Sequence, residues 1–378
     1  MTDKTHLENL TWLRAVAAFF VVVSHSIRTA EVQYAPNDER SYFLPLNLLD
    51  LGSFGVCLFF ALSGCTLYLS NKDNMKYPND FIKFYIKRFM RIWPAFAFSM
   101  VLYIVFIEIF KIGYIGEKKF WIGQFLNEYS LFNIFQYLTL TFNITGPNNL
   151  FVGSYWSLPL EFQYYLLLPF AIFFMTKRFS SIFIPVAFGA VLFIFYKYSF
   201  IPVYRDEIFK LGYTFFGGVF LAHAYSIFKF KISALVALGI FVLIISSVGF
   251  VVTGRIVIPP ETVFISDIWN YYGISAILCV ALALFSKPLF LPNGIRFFMN
   301  EYGDISYSIY LFHMLFIGIA AIVVTRFGIF GSIQKLTFIL GFSLFFSFWF
   351  SKLTYKLIEL PSIEVGRKLS KKLTKIDT

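Results

Sequence analysis

Long apolar runs recur along almost the whole chain, each close to the length at which a helix crosses a bilayer. The hydrocarbon layer is ~30 Å thick and a helix rises ~1.5 Å per residue, so about 20 apolar residues suffice. Roughly ten such runs are present, near 10–27, 54–69, 93–110, 156–175, 182–200, 208–227, 234–252, 269–285, 306–324 and 336–358. In hydrocarbon every backbone N–H and C=O must be satisfied within the chain, and a helix does this alone. The sequence therefore predicts an all-α, polytopic integral membrane helix bundle of about ten transmembrane helices. Composition agrees: 58% of residues are hydrophobic, 21% aromatic and only 14% charged. That is too little charge to cover a soluble surface, and the wrong balance for disorder, a coiled coil or collagen.

The net charge of +11 is spread in short clusters between apolar runs, which points to membrane topology and away from a nucleic-acid partner. Lysine and arginine assigned to the inner side are Lys4 and Arg14, the six between Lys72 and Arg91, Lys177 and Arg178, Lys229 and Lys231, Lys287 and Arg296, and the stretch from Lys352. The first intervening loop instead carries Glu31, Asp38, Glu39 and Asp50. This asymmetry predicts that both termini are cytoplasmic, in the plasma (inner) membrane of a bacterium-like cell. The first run has no small-residue cleavage site after it and reads as an uncleaved signal anchor. Residues 1–358 are expected to form one transmembrane domain and 359–378 a basic cytoplasmic tail. The connection 118–149 is aromatic yet interrupted by glycine, proline and paired asparagines. It is read as an outer loop, interfacial or re-entrant, a form tolerated only where protein or water covers its backbone. Cys57 and Cys65 are separated by ~12 Å of helical rise, too far for a disulfide. No metal-ligand spacing is present.

An ionisable side chain inside a bilayer costs about 2.5–3.5 kcal/mol on insertion scales, so each such group needs a reason. His25, near the outer end of the first run, is either an interfacial imidazole bonded to a neighbour or a general base that titrates near neutrality. Glu161 opens the fourth run after Pro159, where an acid in the first helical turn already complements the helix dipole. The first run is oriented outward and the fourth inward. The two residues are therefore expected at similar depth, with Glu161 able to orient His25. Arg14 lies ~16 Å of helical rise from His25, near the inner end of the same helix. Arg88 and Arg91, at i and i+3, share a face just before the third run. They serve either as topogenic charge against lipid headgroups or as a phosphate clamp, since guanidinium forks bind phosphate bidentately. Guanidinium at the inner level and imidazole at the outer level suggest a ligand spanning a solvated shaft between them. His223 and His313 read as packing or hydrogen-bonded histidines.

These segments resemble, in order, those of the membrane-bound acyltransferase 3 family. The first is Leu10-Thr11-Trp12-Leu13-Arg14-Ala15-Val16-Ala17-Ala18, followed by Val21-Val22-Val23-Ser24-His25. Gly55-Val56-Cys57-Leu58-Phe59-Phe60-Ala61-Leu62-Ser63-Gly64 comes next, then the box of Arg88, Arg91, Ile92 and Pro94. Trp156-Ser157-Leu158 with Glu161, Tyr164 and Tyr165 follows, then Ser306-Tyr307-Ser308-Ile309-Tyr310-Leu311 with His313, then Glu359 and Pro361. Cys57 stands where the family often has Asp or Asn, and Cys65 where it usually has an aromatic residue.

The resemblance implies an acyl-coenzyme A-dependent O-acyltransferase, with acetyl-coenzyme A as the expected co-substrate and no metal. Its acceptor would be a hydroxyl of a cell-surface or lipid-linked saccharide. Arg14, Arg88 and Arg91 would hold the donor's phosphates at the cytoplasmic mouth. His25, oriented by Glu161, would take the acceptor's proton, or would itself carry the acyl group transiently. The fused hydrolase-like domain of some relatives is not expected, because the chain ends shortly after the last run. A multi-pass transporter or flippase for an anionic or saccharide substrate is the alternative, although the inverted repeats common in transporters are not visible.

Overall fold

In the computed structural model the described residues are 4–30, 48–113, 129–146, 152–175, 179–198, 207–253, 268–328 and 331–374. Among them the chain is helical apart from the connections, with one isolated β-bridge between Ile232 and Ser286. The α-helices of eight residues or more are α1 (Lys4–Thr29), α2 (Gly52–Asn71), α3 (Pro78–Gly113), α4 (Leu131–Leu138), α5 (Leu158–Phe174), α6 (Phe183–Tyr198) and α7 (Glu207–Ile227). They continue as α8 (Ala234–Val252), α9 (Ile268–Phe285), α10 (Asn293–Asp304), α11 (Ser306–Arg326), α12 (Ser332–Thr354) and α13 (Leu360–Thr374).

Eight of the described helices are long and apolar enough to span a bilayer. The expected runs near 182–200 and 208–227 correspond to α6 and α7 and fall outside that set. α6 has 16 residues. α7 is 21 residues long but carries polar groups and glycines, and it is covered by protein rather than lipid: it packs against α2, α6 and α9. Buried by neighbours, it needs less apolar surface than a helix facing hydrocarbon. α8 is the opposite case, with Leu235 75% and Leu243 70% exposed, the surface expected against lipid tails.

The α2–α7 crossing is set by glycine. A Cβ on Gly64 would stand 2.0 Å from the Phe215 carbonyl oxygen, and one on Gly218 would stand 1.9 Å from that of Ala61. Only hydrogen fits at either place, so the two backbones touch. In lipid, where helix association lacks a hydrophobic drive, close backbone approach through small residues supplies the packing energy.

α1 runs through the middle, against α2, α9, α10, α11 and α12. Polar ties fix its two ends. Asn9 donates to the Ala283 carbonyl at 3.2 Å and to Ser286 at 3.1 Å, and Trp12 donates to Asn300 at 2.7 Å. At the other end Ser24 and Arg28 both engage Asp50, the arginine at 3.3 Å.

The described part of the 118–149 connection turns into the protein. α4 opens on a reciprocal capping box between Ser130 and Asn133, which satisfies two donors at its start. Tyr137, Phe142 and Asn143 are buried, the two rings are stacked 4.2 Å apart, and Asn143 exchanges hydrogen bonds with Gln163 at 3.0 Å. Trp93 on α3 donates to the Leu138 carbonyl. A 3-10 turn, Gly153–Ser157, then buries Ser154, Tyr155 and Ser157 before α5 begins. Residues 118–128 and 147–149 lie outside the described residues.

Candidate active site

A cavity of about 530 Å³ opens between α1, α2, α3, α5, α11 and α13, within the ~300–1,000 Å³ common for ligand sites. Arg14, Arg88, Arg91 and Glu161 all line it, brought together from two helices, α1 and α3, and the start of a third, α5. Arg14 donates from Nη2 to Thr66 at 2.7 Å, and Thr66 also donates to the Leu62 carbonyl one turn back. Arg88 lies over the ring of Phe84, 5.6 Å from its centroid, and its Nε is buried without a hydrogen-bond partner. Among the described residues none of the three guanidinium groups forms an ion pair. A buried guanidinium donor left open is costly, and an anion in the cavity would relieve that cost.

Glu161 is the one carboxylate on the lining. Its Oε1 accepts from Ser63 at 2.6 Å and from the Tyr165 hydroxyl one turn along α5. The expected pairing of Glu161 with His25 is therefore corrected: no hydrogen bond joins them, and the carboxylate is held by Ser63 and Tyr165 instead. The cause is the inward path of the preceding connection. Because the 3-10 turn is itself buried, α5 starts deep in the bundle and not at the outer level. Ser63 lies eleven residues into α2, ~16 Å along its axis, whereas His25 neighbours Ser24, which packs on Gly52 at the very start of that helix.

His25 does not line the cavity. The lining ends at Tyr310, whose hydroxyl is held by Ser157 at 2.6 Å and by the Ser154 carbonyl. One turn further along α11 lies His313, its ring 5.9 Å from Tyr310 and 5.2 Å from His25. The continuous shaft expected between arginines and imidazole is thus interrupted by two side chains, one phenol and one imidazole. His313 is fully buried, and its Nδ1 faces the Tyr310 carbonyl at 2.8 Å and the Ile309 carbonyl at 3.2 Å. A carbonyl only accepts, so Nδ1 carries the hydrogen and Nε2 keeps its lone pair. That Nε2 is buried and unpartnered.

Sequence reasoning passed over three features of this site. His313 is buried and hydrogen-bonded, as its helical spacing from Tyr307 and Tyr310 led one to expect; its bare Nε2 and its place beside His25 are what the sequence does not reveal. Lys87 and Arg367 also line the cavity, the first hidden beside Arg88 in a basic cluster, the second within the presumed tail. His223 matches its bland reading: buried, it is held between Tyr68 and Ser181.

The fold and the cavity define a helical membrane protein with an arginine-lined pocket, and the comparison with known families supplies the activity. The family model for an acyltransferase domain matches residues 7–352. The chain belongs to the acyltransferase 3 family and is an acyltransferase. No curated protein and no solved structure matches it.

Proposed function

We propose that the protein moves an acyl group, acetyl in the first instance, from acyl-coenzyme A to a hydroxyl of a cell-surface or lipid-linked saccharide. The observation that carries this reading is the convergence of Arg14, Arg88 and Arg91 on one cavity, with none of them ion-paired to a carboxylate among the described residues. Such a cluster suits a diphosphate, which takes several charge-assisted hydrogen bonds at once. The basic end of the bundle is the cytoplasmic face by the distribution of lysine and arginine, and the plasma membrane is where cytoplasmic donor and surface acceptor meet.

With the diphosphate held by the arginines, the pantetheine arm extends past Glu161 toward Tyr310. The arm is of the same order of length as the ~16 Å of α1 between Arg14 and His25. The acceptor oxygen attacks the thioester carbonyl, its proton passes to the imidazole of His25, and the coenzyme A sulfur leaves with the electron pair of the broken C–S bond. His313, with its bare Nε2, is the ring beside His25 and replaces Glu161 as the group set to position it. Movement of the Tyr310 side chain joins the cavity to the histidine pair. Glu161 holds the α2–α5 contact and limits the positive charge of the cavity.

The test is purified protein in detergent with acetyl-coenzyme A labelled in the acetyl group and a panel of saccharide acceptors. Label on an acceptor hydroxyl, lost in His25→Ala, supports the reading. Undiminished transfer by His25→Ala removes that residue from the chemistry. Absence of any donor-dependent transfer across acceptors and acyl lengths contradicts the donor assignment.

A further inference from the structure

Beyond the arginine cavity lies a second one, of about 670 Å³, and the two share Arg91, Ile363 and Arg367. Its wall is largely α13, which supplies Arg367, Lys368 and Lys371, with Lys356 from the π turn (Tyr355–Glu359) that links α12 to α13. One carboxylate, Glu364, lines it, and that group is paired with Lys368 at 3.2 Å. Both members of the pair are well exposed, so the pair is weak. Arg367 and Lys371 form no ion pair among the described residues, and they lie four apart on one face of the helix.

α13 is no free tail. It packs along α3, and Gly366 is a point of close approach: a Cβ there would meet Met90 at 2.9 Å and the Ile86 carbonyl at 3.6 Å. Met90 lies between Arg88 and Arg91. The glycine thus seats Arg367 beside the arginine box, where it lines both cavities. This helix falls outside the residues matched by the family model, 7–352.

The order of groups along the donor decides what meets the outer cavity. Outward from the thioester come pantetheine, the 5′-diphosphate, and then the ribose with its 3′-phosphate. If the diphosphate occupies the inner arginines, the 3′-phosphate falls at the rim. We infer that Arg367 and Lys371 of α13 bind the 3′-phosphate of the coenzyme A donor, making the rim helix the element that distinguishes coenzyme A from donors lacking that group. The inference rests on the proposed donor and adds the residues that recognise one part of it. The shared chemistry is a phosphate dianion, and lipid headgroups are the competing source.

The experiment measures half-saturating concentrations of acetyl-coenzyme A and of 3′-dephospho-acetyl-coenzyme A, in nanodiscs of zwitterionic lipid, for wild type, Arg367→Ala/Lys371→Ala and Arg88→Ala. Wild type is expected to prefer the 3′-phosphorylated donor by roughly tenfold, the value of one charge-assisted contact. The rim variant should lose that preference, with acetyl-coenzyme A weakened to the level of the dephospho donor, while Arg88→Ala weakens both alike. Gly366→Leu, which displaces α13 without removing charge, should also lose the preference. An undiminished preference in the rim variant overturns the inference and leaves the donor assignment standing. So does equal use of both donors by wild type, with the rim variant changing only binding to anionic-lipid vesicles. Failure of wild type to use either donor overturns the donor assignment itself.

Discussion

Gly218→Ala tests the fold and the site together. The added Cβ would lie 1.9 Å from the Ala61 carbonyl oxygen and 2.8 Å from its carbon, with the Cys65 amide nitrogen at 3.0 Å. All three are backbone atoms of α2, so no side chain can rotate away. Reaching ordinary contact near 3.4 Å requires α2 and α7 to separate by about 1.5 Å. Overpacking of a tight interface costs about 1–3 kcal/mol, occasionally more. The same displacement moves Ser63 and Thr66, which hold Glu161 and Arg14, although Gly218 lines no part of the cavity. Donor affinity should therefore fall along with stability. The control is Gly239→Ala on α8, where nothing lies within 4 Å of the new Cβ. In a helix interior that change should stabilise by roughly 0.5–1 kcal/mol. Thermal unfolding of both variants in the same detergent, with titration of the donor, gives the comparison. A Gly218→Ala protein as stable as wild type, or one that unfolds early yet binds donor normally, would refute the close crossing or its link to the arginines.

His25→Ala should abolish acyl transfer while donor affinity, read by equilibrium binding, stays within about threefold, because the residue lies off the arginine cavity. Arg88→Lys should rescue Arg88→Ala only partly, as an ammonium cannot form the bidentate contact; full rescue would mean that the site reads charge alone. Asp50→Ala removes the partner of both Ser24 and Arg28, and should destabilise by about 1–3 kcal/mol, measured by thermal unfolding. His313→Phe keeps a ring beside His25 but removes the lone pair; a large loss of turnover with unchanged half-saturating donor concentration is expected, and unchanged turnover would return His313 to packing duty.

The fold class was readable because apolar run length is a direct physical measure of bilayer thickness, and runs such as 54–69 and 306–324 coincide with α2 and α11. The status of α6 and α7 was harder to read, since a helix wrapped by protein carries glycine and polar groups that dilute its hydropathy. Arg14, Arg88 and Arg91 could be singled out because charge next to hydrocarbon is expensive, and the cavity gathers all three with Glu161. The depth of Glu161 could not be read. Equal depth for His25 and Glu161 assumed that α5 starts at the membrane surface, and the buried turn at Gly153–Ser157 removes that premise. Arg367 was illegible for a related reason: a basic amphipathic segment reads as a tail until Gly366 shows it seated on α3.

The central claim is that the arginine cavity is the donor site. Equilibrium binding of labelled acetyl-coenzyme A to purified wild type and to Arg88→Ala/Arg91→Ala tests it most directly. The account predicts saturable binding to wild type and a loss of about 10–100-fold in the variant, with its unfolding temperature unchanged. Equal affinity in the two proteins would contradict it.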